Sequence, residues 1–147
     1  MSKQNRMDYI TIASTGDATD FGDITVARRQ GGAASNGTRG VAQGGEPLTN
    51  VIDYWTFASI GDASDFGDLS VAKNYTEAFA SDGTKGVVMG GGDVSGLPAP
   101  ALINVIEYIN IASTGNVTDF GDLTEVRALS GAASNGTRMV AVGGQEN

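Results

Sequence analysis

Thr19-Asp20-Phe21-Gly22-Asp23-Ile24 returns as Ser64-Asp65-Phe66-Gly67-Asp68-Leu69 and again as Thr118-Asp119-Phe120-Gly121-Asp122-Leu123. One six-residue string written three times in 147 residues marks a repeat architecture, in which one small unit is copied and stacked. Outward from the string the copies stay aligned. Tyr9, Tyr54 and Tyr108 correspond, as do Arg28, Lys73 and Arg127, and Gly37, Gly83 and Gly136. Each copy closes on a glycine pair, Gly44-Gly45, Gly90-Gly91 and Gly143-Gly144. The three tyrosines stand 45 and 54 residues apart, and most of that difference lies after the glycine pair, in Glu46 to Asn50 against Gly92 to Asn104. The copies span residues 8–45, 51–91 and 105–144, behind a start (residues 1–7) expected to be flexible.

Each copy reads as four short strands. Gly32-Ala33-Ala34-Ser35 is small and apolar and ends at Asn36-Gly37, a dipeptide favouring a two-residue hairpin because both positions tolerate positive φ. Asp82-Gly83 and Asn135-Gly136 repeat it. Thr38 to Gln43 follows and is ended by Gly44-Gly45. The third strand is Val51 to Ala58, with Val51, Asp53, Trp55 and Phe57 on one face and Ile52, Tyr54 and Thr56 on the other. Bulky residues on both faces predict a sheet covered on both sides. The fourth is expected to be short, running into Asp65-Phe66-Gly67-Asp68-Leu69.

Four-stranded repeats of this length imply an all-β fold of β-propeller type, with a stacked solenoid of usually shorter repeats as the alternative. The order of features (small hairpin strand, strand ending in Gly-Gly, strand carrying Tyr, aromatic near the last strand, then a basic residue) resembles the kelch-type propeller blade. Phe21, Phe66 and Phe120 stand where kelch blades usually have Trp. The wording Ile-Ala-Ser-Thr-Gly-x-x-Thr-Asp-Phe-Gly-Asp-Leu is similar to repeats in proteins of tailed bacteriophages. Cut into blades, the chain is out of phase: it opens with a third and fourth strand and closes with a first and second. Three blades are too few for a ring, and a lone chain would leave open sheet edges. The expectation is a six-bladed, kelch-like ring closed by a second chain: a homodimer by half-blade exchange, whose two head-to-tail junctions close on each other.

Composition narrows the function classes. With neither Cys nor His, thiolate nucleophiles, imidazole bases and ordinary zinc sites are excluded. The net charge of −8 opposes nucleic-acid binding. No apolar run is long enough for a membrane helix, no signal peptide is expected, and localisation stays open between a virion and a host cytoplasm. The acids of the repeated string, Asp20, Asp23, Asp65, Asp68, Asp119 and Asp122, invite a calcium reading, with Asp17 and Asp62 nearby. Their every-third-residue spacing is not that of a calcium loop, and Asn116 replaces the first acid of the last copy. The expectation is instead structural, with no metal and no cofactor: Asp20 and Asp23 accept backbone hydrogen bonds in a turn and pair with Arg28, Lys73 or Arg127. Six of the nine basic residues fall at two repeat positions (Arg28, Lys73, Arg127 and Arg39, Lys85, Arg138), which predicts pairing within or between blades.

Function is sought where the copies disagree. Trp55 stands where the others carry Ile10 and Ile109, and Asn74-Tyr75-Thr76-Glu77-Ala78-Phe79 replaces small residues and adds one. Trp55, Tyr75, Glu77 and Phe79 are the candidate ligand-binding residues, with the loop from Gly92 to Ala101 beside them; the competing account is compensating packing, with a bulge for the extra residue. The expected function is a non-enzymatic structural or binding propeller of phage origin. Its partners are a second copy of itself and a glycan or another particle protein. The alternative is a carbohydrate-binding module whose aromatics stack on sugar rings.

Overall fold

The computed structural model describes residues 3–93 and 101–146. Among them there is no helix. Fourteen strands form antiparallel sheets. Sheet I pairs β1 (Gln4–Tyr9) with β2 (Thr19–Arg28). Sheet II has four strands in order, β3 (Gly32–Ser35), β4 (Arg39–Gln43), β5 (Thr49–Thr56) and β6 (Ser64–Lys73). Sheet III repeats that order with β7 (Phe79–Ser81), β8 (Lys85–Met89), β11 (Val105–Asn110) and β12 (Thr118–Asp122). Between its middle strands, β9 (Gly92–Asp93) and β10 (Ala101–Leu102) make a small extra hairpin. Sheet IV pairs β13 (Gly131–Ser134) with β14 (Met139–Val142). Among the described residues, sheets I and IV remain separate two-stranded sheets.

The repeat is carried into the hydrogen-bond register. Tyr9 faces Thr19, Tyr54 faces Ser64 and Tyr108 faces Thr118, with a shift one residue further in (Met7/Asp8, Ile52/Asp53, Ile106/Glu107) each time. Each tyrosine meets its own phenylalanine edge to face, at 5.9, 5.9 and 6.0 Å between ring centres. The apolar core lies between sheets II and III, where Val41, Ile52, Phe66 and Leu69 meet Phe79, Val88, Ile109 and Ile111. Burying each such side chain is worth about 1.5–3 kcal/mol. Ile52 and Asp53 are neighbours on opposite faces of β5 and both are buried, so this sheet is covered on both sides as its composition implied. The first strands of the sheets adjoin, β7 lying beside both β3 and β13. Gly32 in β3 has room for no Cβ, which would come within 2.7 Å of Phe79 Cβ.

Several expectations need correction. The fourth strand is long in two copies, where β6 and β2 run ten residues each because the shift near Thr49 lets β6 resume pairing at Lys73 after Asp68, and short in the third, where β12 has five. The third strand ends at Thr56, and Phe57 is half-exposed beyond it. Strand β1 begins at Gln4, within residues 1–7. The hairpins keep their two-residue loops, but Asn36 does not take positive φ. Gly37 does, at φ 84°, and Asn36 stands before the loop. Its Oδ1 accepts from Thr38 N (3.1 Å) and Arg39 N (2.8 Å), an Asx cap repeated by Asp82 and Asn135.

Candidate functional site

The chemistry concentrates where one sheet meets the next. In the repeated string the glycine has positive φ, 142° at Gly22 and 147° at Gly67, a conformation side chains resist. A Cβ at Gly22 would overlap the Gly61 carbonyl, and one at Gly67 the Gly115 carbonyl. The glycine therefore lets a loop of the following repeat lie directly on the strand. That loop forms a clasp. Gly61 N donates to Phe21 O (2.8 Å) and Ala63 N to Asp23 O (2.8 Å), while Asp23 N donates to Asp62 Oδ1 (3.0 Å). At the next junction Gly115 N donates to Phe66 O (2.8 Å), Val117 N to Asp68 O (3.0 Å) and Asp68 N to Asn116 Oδ1 (3.0 Å). Phe21 and Phe66, under these clasps, are 6% and 3% exposed.

Each junction also holds a buried ion pair. Arg28 at the end of β2 reaches Asp53 of β5 at 2.7 Å, and Lys73 at the end of β6 reaches Glu107 of β11 at 2.6 Å. All four side chains are almost wholly excluded from water. Burial pulls the Arg28 guanidinium below its ordinary range, and the Asp53 carboxylate opposes that shift. Arg28 also donates to Ala42 O (3.2 Å), and Glu107 Oε1 accepts from Ser70 N (3.2 Å). Arg28 Nη1 and Asp53 Oδ2 are left buried without a hydrogen-bond partner; such pairs fix which sheets meet more than they add stability, and removing one member leaves a charge stranded.

The basic positions do pair between repeats, but not with the acids the sequence suggested. Asp20 is exposed and reaches only Arg6, at 3.9 Å. Asp23 takes part through its backbone, and Asp20 to Asp23 lie within a strand, not a turn. Asp65 and Asp119 are exposed on the equivalent strands, with Asp68 half-buried and Asp122 exposed. The acid that caps a backbone N–H is Asp62, and Asn116 does the same task with its amide oxygen, which explains why that position tolerates either residue. The true partners, Asp53 and Glu107, were legible as an acid directly before the repeat tyrosine, with Asp8 as the third example. The second basic position works within a sheet: Arg39 lies 4.4 Å over the Tyr54 ring and Lys85 4.6 Å over Tyr108. Arg39 also donates to Ile111 O (3.1 Å) of the following sheet.

The candidate ligand residues do not gather into one site. Phe79 is buried in the core and packs over Gly86. Trp55 packs over Gly40, the equivalent glycine of the preceding sheet, with its ring edge-on to Phe57 at 6.1 Å. Both fill the space above a glycine. Tyr75 has a positive φ of 56°, as do Gln30 (61°) and Leu129 (57°) at the same repeat position, and its carbonyl accepts from Leu129 N (3.4 Å). Glu77 is half-buried with Oε2 unpartnered, and burial pushes its carboxyl above the ordinary range. Most of the Gly92–Ala101 loop lies outside the described residues. Among the described residues no group of three or more acidic side chains converges as metal ligands would.

The third set of junction residues is present without its counterpart. Gly121 keeps φ 137°, yet nothing lies within 4 Å of where its Cβ would be. Phe120 is 59% exposed, and Arg127 makes no ion pair among the described residues, only a long contact to Gly143 O (3.5 Å). At the other end, Asp8, Gly16 and Asp17, which match Asp53, Gly61 and Asp62, are exposed. A comparison with models of protein families finds none that matches the chain, and a comparison with curated proteins finds no relative.

Proposed function

We propose that the chain is a non-enzymatic scaffold: three repeats of a kelch-like β-propeller, brought to a six-bladed ring by a second copy and serving as a structural or binding protein. The observation that carries this reading is the junction. The same clasp and the same buried ion pair occur between sheets I and II and between sheets II and III. Ionisable groups that are deeply buried are spent on holding sheets together. The repeat's similarity to tailed-phage wording supports a place in a particle. The glycan alternative is disfavoured at Tyr54, which carries Arg39 over its ring and packs edge to face with Phe66.

Sedimentation equilibrium tests the ring. The expected mass is twice the 15.0 kDa of one chain, with a ring outline in electron micrographs. A well-folded monomer at all concentrations, or a ladder of larger species, refutes it.

A further inference from the structure

Resting on that two-chain reading, we infer that β14 of one copy pairs antiparallel with β1 of a second copy in a register already written in the chain, and that Arg127 of the first forms the buried ion pair of this junction with Asp8 of the second. The template is internal. Val41 faces Tyr54 and Ala42 faces Asp53 across β4 and β5. Val87 faces Tyr108 and Val88 faces Glu107 across β8 and β11. Transferred to the third copy, Val140 faces Tyr9 and Ala141 faces Asp8 of the second molecule. Both strand edges needed for this are open in the single chain.

The surfaces that would be covered are those left bare. Ile10 and Ile12 are 61% and 94% exposed, whereas their equivalents Ile109 and Ile111 are 4% and 0% exposed in the core. Between sheets III and IV lies a cleft of about 270 Å³ lined by Val87, Met89, Ile106, Phe120 and Met139 among others. The equivalent space between sheets II and III is closed by Ile109 and Ile111. The conformation of Gly121 points to the same occupant. Gly22 and Gly67 need the absence of a Cβ because a Gly-Asp or Gly-Asn loop lies on them. Gly16-Asp17 is a third such loop, exposed and unengaged among the described residues. Placed on Gly121, it would donate Gly16 N to Phe120 O and Ala18 N to Asp122 O, and accept Asp122 N at Asp17 Oδ1. A second copy of this chain carries the strand, the loop, the acid and the two isoleucines in the order required, so it is the occupant.

A charge swap tests this. Asp8 and Arg127 are not buried in a single chain, so Arg127→Glu and Asp8→Arg leave the fold of each chain intact. Each variant alone is expected to weaken self-association by at least about a hundredfold, as stranding one member of a buried interfacial pair does. Mixing the two restores a dimer, because one junction then holds the reversed pair and the other the native pair. A dimer of either single variant with wild-type affinity, or no rescue on mixing, overturns the inference while leaving the dimeric ring in place. A wild-type chain that stays monomeric overturns the ring itself. The register has its own test. Gly40 faces Trp55 and Gly86 faces Ile109, so Met139 should face Ile10 of the second copy. A chain carrying Ile10→Cys with Met139→Cys is therefore expected to oxidise to a covalent dimer. A chain carrying Thr11→Cys with Met139→Cys should not cross-link, and equal cross-linking of both refutes the register.

Discussion

Gly67→Ala is the substitution that most directly measures the clasp. The residue sits at φ 147°, and a Cβ there would overlap the Gly115 carbonyl oxygen, with the Gly115 carbonyl carbon at 2.5 Å and Asn116 N at 2.9 Å. These atoms are backbone, so no side-chain rotation relieves the clash. The unfavourable backbone conformation alone costs roughly 1–3 kcal/mol for a residue with a side chain. Moving the loop away would in addition weaken three hydrogen bonds, from Gly115 N to Phe66 O, Val117 N to Asp68 O and Asp68 N to Asn116 Oδ1, each worth about 1 kcal/mol net. The sum, about 4–6 kcal/mol, is a large share of the roughly 5–15 kcal/mol typical of a domain. At roughly 3 °C per kcal/mol for a chain of this size, the Tm should fall by about 10–20 °C. Gly83→Ala is the control: φ is 89°, but nothing lies within 4 Å of the added carbon, so only the conformational cost remains. Calorimetry of both variants separates the two terms. Equal losses at Gly67 and Gly83 would refute the claim that a neighbouring loop bears on the repeated glycine.

Other outcomes follow from the junctions and their surroundings. Lys73→Met leaves Glu107 buried and unpaired and should cost about 3–5 kcal/mol in urea unfolding, while Lys73→Met with Glu107→Leu should recover most of it; a double variant no better than the single would show that the charges themselves are required. Asn116→Asp should be near neutral, since Asp62 caps the same N–H at the preceding junction, whereas Asn116→Ala should lose about 1 kcal/mol. Burial raises the Glu77 carboxyl above its ordinary range, so folding favours its protonated form. That contribution is fully present below the ordinary glutamate range and is lost as pH rises through the raised value. Glu77→Gln should therefore raise the Tm at about pH 7 and change it little at about pH 4; a loss of stability at neutral pH would contradict this.

Much of the architecture was legible because the chain repeats itself. The copied Asp-Phe-Gly-Asp string, the Asn-Gly or Asp-Gly turns and the closing glycine pairs located the strands of each sheet, since turn chemistry and alternation are local properties. Strand β3 falls on the residues its composition named, Gly32 to Ser35. What was misread depends on distance. Asp20 and Asp23 were expected to pair with Arg28, Lys73 or Arg127, yet Arg28 pairs with Asp53, the acid of the next repeat. Phe79, a departure that the sequence left open between a ligand and compensating packing, fills the space over Gly86 in the core.

By itself the sequence determined the repeat, the all-β character, the strand pairs within each sheet and the absence of thiol or imidazole chemistry. Only the tertiary structure decided which charged groups meet, why the repeated glycine is a glycine, and which copy of each junction is left open. Those facts depend on backbone from one repeat lying on backbone from the next. The atoms that meet are dozens of residues apart, and a one-dimensional pattern carries no term for the carbonyl that occupies the space where a side chain would go.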